Sequence, residues 1–183
     1  GAVSTNTAVG ASALSGGSQT GVQNTAIGAN AFAANTSGSY NTGIGYYALV
    51  NNTTGCSNVA VGSNALCLNT IGISNVAVGF NALLCNTTGV NNLALGYNSG
   101  CLITTGSCNV IIGSNTGTAI ATGNNNIIIG NYYGNAGGLD IRTSDGYFVI
   151  GSMTDGSRSL ASTWMKKRPI WSSSSSSMPH RAA

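Results

Sequence analysis

Asn58-Val59-Ala60-Val61-Gly62 returns seventeen residues later as Asn75-Val76-Ala77-Val78-Gly79. The same five-residue unit, Asn-x-small-apolar-Gly, opens at Asn6, Asn24, Asn41, Asn58, Asn75, Asn92, Asn109 and Asn126. It closes at Gly10, Gly28, Gly45, Gly62, Gly79, Gly96, Gly113 and Gly130. The first step is 18 residues and the next six are 17. A second glycine follows ten residues after the first, at Gly38, Gly55, Gly72, Gly89, Gly106 and Gly123; the first repeat places it at Gly21. Self-similarity at a fixed period marks a repeat architecture whose units bury their apolar faces by stacking.

Seventeen residues with two glycines and an Asn at fixed places leave no room for a repeat helix, which these residues would break. The apolar residues alternate instead: Val59 and Val61 on one face, Asn58 and Ala60 on the other. The spacing predicts an all-β fold, a parallel β-solenoid of eight coils over residues 1–138, each coil reading strand, turn, strand, turn. At the usual strand spacing this rod is roughly 40 Å long. Residues 139–160 read as capping or junction strands, with a turn over Arg142–Gly146 and a strand over Tyr147–Ile150. Residues 161–183, with Lys166-Lys167-Arg168 and six consecutive serines, read as a low-complexity basic tail.

The repeated Asn and Gly residues are the structural repeat positions: Gly for turns that need positive φ, Asn for turns and side-chain ladders. Val61, Val78, Leu95 and Ile112 are expected inside the coil. The small residues Ala26, Ala60, Ala77 and Ala94 are expected to line the interface with another chain, because small side chains admit a second backbone closely. This row becomes Ile111 and Ile128 in the last coils. The second half of the coil changes too. Ala-Leu or Ala-Phe pairs such as Ala65-Leu66 give way to Ser99-Gly100 and Thr116-Gly117, and Asn35, Asn52, Asn69 and Asn86 give way to Ile103 and Ile120. The rod therefore has two segments, switching near residue 99.

Residues 1–139 contain no Asp, Glu, Lys, Arg or His, so the formal net charge of +3 belongs wholly to the remainder. Phosphate neutralisation needs Lys or Arg and acid–base catalysis needs a titrating side chain. The rod is thus expected to bind no nucleic acid, to be no enzyme, and to hold no cofactor or metal. Asp140, Asp145 and Asp155 lack a calcium-loop pattern and read as caps of the last coil. No run of about 18 apolar residues is present, so no membrane insertion is expected. The opening segment Gly1–Gly10 lacks a basic leader and reads as the interior of a longer chain. Five cysteines show no C-x-x-C pair. Cys67 and Cys101 share a coil position two coils apart, too far to bridge. Cys85 lies one coil after Cys67 but one position later, with a diverging side chain expected. The thiols read as small apolar residues, or as bridges between chains. Asn35, Asn51, Asn52 and Asn86 open formal glycosylation sequons that the repeat generates by itself. Thr36, Thr53, Thr70, Thr87 and Thr104 form one ladder that reads as a neutral surface, or as an ice- or glycan-binding face.

The units Asn24-Thr25-Ala26-Ile27-Gly28 and Asn75-Val76-Ala77-Val78-Gly79 resemble the head repeats of trimeric autotransporter adhesins. The 17-residue form with Asn-Thr-Thr-Gly, as at Asn52–Gly55 and Asn86–Gly89, is similar to repeats of phage tail-fibre proteins, cyanophage ones included, and Gly138–Ser144 is similar to the junction that follows them. The resemblance covers about residues 1–150. It implies a left-handed parallel β-roll packed as a homotrimer, and a structural fibre segment of a virion or extracellular appendage. The partners it implies are the chain itself and a host cell-surface glycan or protein. An adhesin head and an ice- or glycan-binding solenoid are the alternatives.

Overall fold

The computed structural model describes residues 5–17, 19–133 and 142–151 in full, and the backbone of 152–153 and 163–166. Its strands are β1 (Thr7–Val9), β2 (Thr25–Ile27), β3 (Thr42–Ile44), β4 (Val59–Val61), β5 (Val76–Val78), β6 (Leu93–Leu95), β7 (Val110–Ile112), β8 (Ile127–Tyr132), β9 (Tyr147–Met153) and β10 (Thr163–Lys166). They form one sheet in sequence order. β1 to β9 are parallel, and β10 lies antiparallel on β9. The fold is an all-β parallel solenoid of about eight turns, without a helix among the described residues. Register equals repeat length: Ala60 pairs with Ala77, and Ala77 with Ala94.

Position 1 of each coil is the Asn that opens the unit. Positions 2–4 are the strand. The expected second strand does not form. Positions 5–12 run as overlapping turns, in the Asn58 coil Gly62–Ala65, Asn64–Cys67 and Leu66–Asn69, closed by N–H···O bonds of 3.3, 3.3 and 3.1 Å. The third residues of the first two are left-handed, Asn64 at φ 57° and Leu66 at φ 51°. Asn suits that place in a turn; Leu does not and is strained there. The stack holds it, because Leu66 N–H donates to Ala82 O of the next coil at 3.0 Å and its side chain is fully buried. Alternate left-handed residues cannot make an extended strand, yet their backbone bonds still run from coil to coil.

The interior consists of six columns: Asn at positions 1 and 12, Ala at 3 and 8, Leu or Phe at 9, and Gly at 15. In the Asn58 coil these are Asn58, Asn69, Ala60, Ala65, Leu66 and Gly72, all buried. Position 3 faces positions 8 and 9 across this interior: a methyl placed on Gly43 would lie 3.3 Å from Ala48 O and 3.7 Å from Leu49 Cδ1. Two expectations are therefore corrected. Ala26, Ala60, Ala77 and Ala94 line the inside of a single chain and offer nothing to a partner. Val61, Val78, Leu95 and Ile112 point outward instead, half-buried or exposed. The interior is only one Leu and one Ala thick, so a Val in place of Ala would overfill it.

The buried amides settle the same choice. Asn58 Nδ2 donates to Asn41 Oδ1 at 3.1 Å and to Gly72 O at 2.8 Å. Its Oδ1 accepts the Asn75 N–H at 3.0 Å and Asn75 Nδ2 at 3.1 Å. Two donors and two lone pairs are all used. Asn69 Nδ2 donates to the same Gly72 carbonyl at 3.1 Å and to Asn52 Oδ1 at 2.6 Å. Inward-facing carbonyls at position 15 require donors, and the Asn face of the strand supplies one where the Val face has none to offer. This second ladder ends where position 12 becomes Ile103, and there Asn86 Oδ1 is buried without a hydrogen-bond partner.

In the terminal region, β9 extends the strand expected over Tyr147–Ile150 to Met153 and continues the sheet, with Val149 stacked on Ile128. Asp145 Oδ1 accepts from Asn124 N–H at 2.6 Å and Asn124 Nδ2 at 3.1 Å, closing the adjacent edge. β10 falls within the stretch read as a low-complexity tail. Asp140, Asp155 and the serine run lie outside the described residues.

Candidate functional site

The repeated Asn and Gly positions are structural: each Asn from Asn24 to Asn126 is buried in the first ladder. The glycines that close the unit need positive φ, about 133° at Gly62, where an added methyl would meet Gly79 O at 2.5 Å. What the coil can offer a partner is therefore its outer surface.

The largest uniform part of that surface is the outer sheet face. Strand pairing stacks position 2 as Thr25, Thr42, Val59, Val76, Leu93, Val110 and Ile127. It stacks position 4 as Val9, Ile27, Ile44, Val61, Val78, Leu95, Ile112, Ile129 and Ile150. Val9, Ile27, Ile44, Val78, Ile129 and Ile150 are exposed in the single chain. The result is a stripe of aliphatic side chains at position 4 from β1 to β9, flanked by Thr, Val, Leu and Ile at position 2, without a charged residue in either row. Contiguous exposed apolar surface of this kind is where proteins commonly meet partners. Beside it, position 6 carries Tyr46, Phe80 and Tyr97, all exposed. Phe80 and Tyr97 stack with ring centroids 5.5 Å apart and planes 10° from parallel. Position 7 next to them carries a half-buried amide ladder, Asn64 to Asn81 to Asn98 to Asn115, at 3.0–3.1 Å.

The threonine ladder is committed to the fold. Thr36, Thr53, Thr70, Thr87 and Thr104 each donate their hydroxyl to a carbonyl of the next coil at 3.0–3.2 Å. The neighbouring row at position 14 is interrupted by Ile71. Of the sequon residues, Asn35, Asn52 and Asn86 are buried, while Asn51 is exposed and donates to Cys67 O at 2.9 Å.

All five cysteines are free thiols. Burial raises the pKa of Cys67, Cys85 and Cys101 above the ordinary thiol value, and the nearby Cys85 sulfur raises Cys67 and Cys101 further. Among the described residues no cluster of three or more His, Cys, Asp or Glu side chains is arranged to hold a metal ion, and no helix is long and apolar enough to cross a membrane.

Sequence reading missed the exposed aliphatic face because it assigned the two strand faces in reverse. The signal that marks the faces is the buried Asn: a residue whose amide recurs in strict register shares its face with position 3. No protein-family model, no curated protein and no solved structure matches the chain.

Proposed function

We propose that this chain is a structural segment of a fibre, displayed on a virion as in a tail fibre or on an extracellular appendage, with no catalytic role. Copies pack side by side as a homotrimer through the outer sheet face, and the assembled rod presents or contacts a host surface. The observation that carries the reading is the uncharged aliphatic stripe from Val9 to Ile150. A partner for it must bring no charge, since an unpaired charge buried there is costly. It must also have ridges at the spacing of one coil along the rod. A second copy of the same chain meets both requirements. The 17-residue Asn-Thr-Thr-Gly repeat supports the fibre reading over the adhesin-head alternative, which shares the same assembly.

Light scattering on the full chain tests the assembly. The expected mass is three chains for the parent and one for the double variant Val61→Lys/Val78→Lys, with the circular dichroism of the two alike. A monomeric parent, or an unchanged oligomer in the variant, would reject the interface. Antibody labelling tests the location. Intact virions or unpermeabilised cells should be decorated, and labelling seen only after lysis would reject surface display. The stacked, exposed Phe80 and Tyr97 favour a sugar as the host group contacted, because sugar rings lie against aromatic faces. Binding on a glycan array should fall in Phe80→Ala and Tyr97→Ala.

A further inference from the structure

We propose that Cys85 is the centre of an oxidative staple: it forms a disulfide with a cysteine on an adjoining coil, Cys67 on one side or Cys101 on the other, one at a time. The three residues lie on three successive coils, Cys67 and Cys101 at position 10 and Cys85 at position 11. Backbone hydrogen bonds set their register. Cys85 N–H donates to Cys101 O at 3.0 Å, and between the residues flanking Cys67 and Cys85, Leu68 N–H donates to Leu84 O at 3.0 Å. Cys85 is therefore diagonal to both. Coils stacked at about 4.8 Å, with a Cα step of about 3.8 Å along the chain, place diagonal Cα atoms about 6 Å apart. That lies inside the range of about 4.4–6.8 Å that a disulfide spans. Cys67 and Cys101 are about 10 Å from one another by the same spacing, which excludes their direct union. Positions 8, 9 and 12 occupy the interior, so positions 10 and 11 turn toward the surface. All three thiols are half-buried, within reach of a small oxidant.

The oxidant is a small-molecule disulfide such as oxidised glutathione. The Cys85 thiolate attacks one of its sulfurs and expels one glutathione thiol. The neighbouring cysteine thiolate then attacks the Cys85 sulfur and expels the second. Two protein thiols lose two protons and two electrons, and one oxidised glutathione becomes two reduced. The third cysteine can subsequently attack Cys85 and release its partner, moving the staple by one coil with no further oxidant. Burial of the thiols slows the first step at neutral pH and lets it accelerate toward about pH 9, as the thiolate fraction grows. Cys56 and Cys108 stand three coils apart at positions 16 and 17, and belong to no such cluster.

The full chain is incubated with oxidised glutathione at about pH 9, free thiols are counted, and chymotryptic peptides are mapped without reduction; trypsin has no site in residues 1–139. The expected result is a link within one chain between Cys85 and either Cys67 or Cys101. Each of Cys67→Ser and Cys101→Ser keeps a link by shifting it to the remaining partner, and Cys85→Ser has none. Circular dichroism checks that Cys85→Ser is folded. If it is not, the double variant Cys67→Ser/Cys101→Ser asks the same question and should also show no link. A Cys67–Cys101 link, links only between chains, glutathione adducts without a link, or a link surviving in Cys85→Ser would each overturn the proposal.

Discussion

Ile111 occupies the space that Gly117 leaves. A methyl built on Gly117 would lie 3.1 Å from Ile111 Cγ2 and 3.4 Å from Ile120 Cδ1. Four coils earlier the corresponding residues are Leu49, Gly43 and Asn52, a large residue facing two that leave it room. The switch near residue 99 is thus an exchange of volume across a closed interior, and all of Ile103, Ile111, Ile120 and Ile128 are buried. Gly117→Leu alone should overfill the coil and cost about 1–3 kcal/mol. Adding Ile111→Ala should recover most of that loss. Thermal unfolding of the pair checks it; a single variant as stable as the parent would contradict the packing described.

Two glycines of one coil should respond in opposite ways. Gly43 has ordinary φ and faces the interior where other coils hold Ala, so Gly43→Ala should stabilise by about 0.5–1 kcal/mol through the lost freedom of the unfolded chain. Gly45 has φ 134°, and its added methyl would meet Gly62 O at 2.5 Å. Gly45→Ala should destabilise by about 1–3 kcal/mol from the backbone conformation alone, and more from the displaced coil. Chemical denaturation of the two variants side by side is the measurement.

Ala77→Lys and Val78→Lys differ by one residue and by the face they enter. Ala77 is fully buried, and a lysine there is an unpaired internal charge costing several kcal/mol. Val78 is 38% exposed on the outer face, and a lysine there reaches water, with an expected loss of at most about 1 kcal/mol in the single chain. Equal loss of the thermal midpoint in both would contradict the assignment of faces.

Asn75→Asp should bring acid stability to a rod otherwise without carboxylates. At Asn75 the amide donates to Gly89 O at 2.8 Å and to Asn58 Oδ1 at 3.1 Å. A carboxylate would face two oxygens in a buried place, which raises its folded pKa above the unfolded value of about 3.9. Stability of such a group is present below the unfolded pKa and is lost as pH rises through the folded one. The variant should approach the parent near pH 3 and fall away toward pH 7. The check is the thermal midpoint of both across that range.

The parent should lose stability on the alkaline side. Cys67, Cys85 and Cys101 have folded pKa values raised by burial. Their contribution is complete below the unfolded thiol pKa of about 8.5 and lost as pH climbs through the folded values. The triple Cys→Ala variant should therefore show a shallower decline above about pH 9 than the parent. Parallel midpoint curves for the two proteins would contradict it.

The coil length, the parallel register, the turn glycines and the absence of charge were all legible in residues 6–130, because each depends only on what recurs every 17 residues. The second strand was not legible. Ala65-Leu66 reads as extended, and only the stack makes a left-handed Leu66 tolerable, by burying its side chain and bonding its amide to Ala82. That Cys67, Cys85 and Cys101 are half-buried was also hidden, since it depends on which turn residues face outward.

By itself, then, the sequence determined a rod of stacked 17-residue coils with no titrating group but Cys and Tyr in residues 1–139. Period-2 alternation separates two strand faces but does not say which is inside. Hydrophobicity would have chosen Val59 and Val61. Tertiary structure decided for Asn58 and Ala60, because a 17-residue circuit closes around an interior one Leu thick, whose glycine carbonyls need amide donors on the inside. The aliphatic residues of positions 2 and 4 are thereby left on the outer face of the sheet.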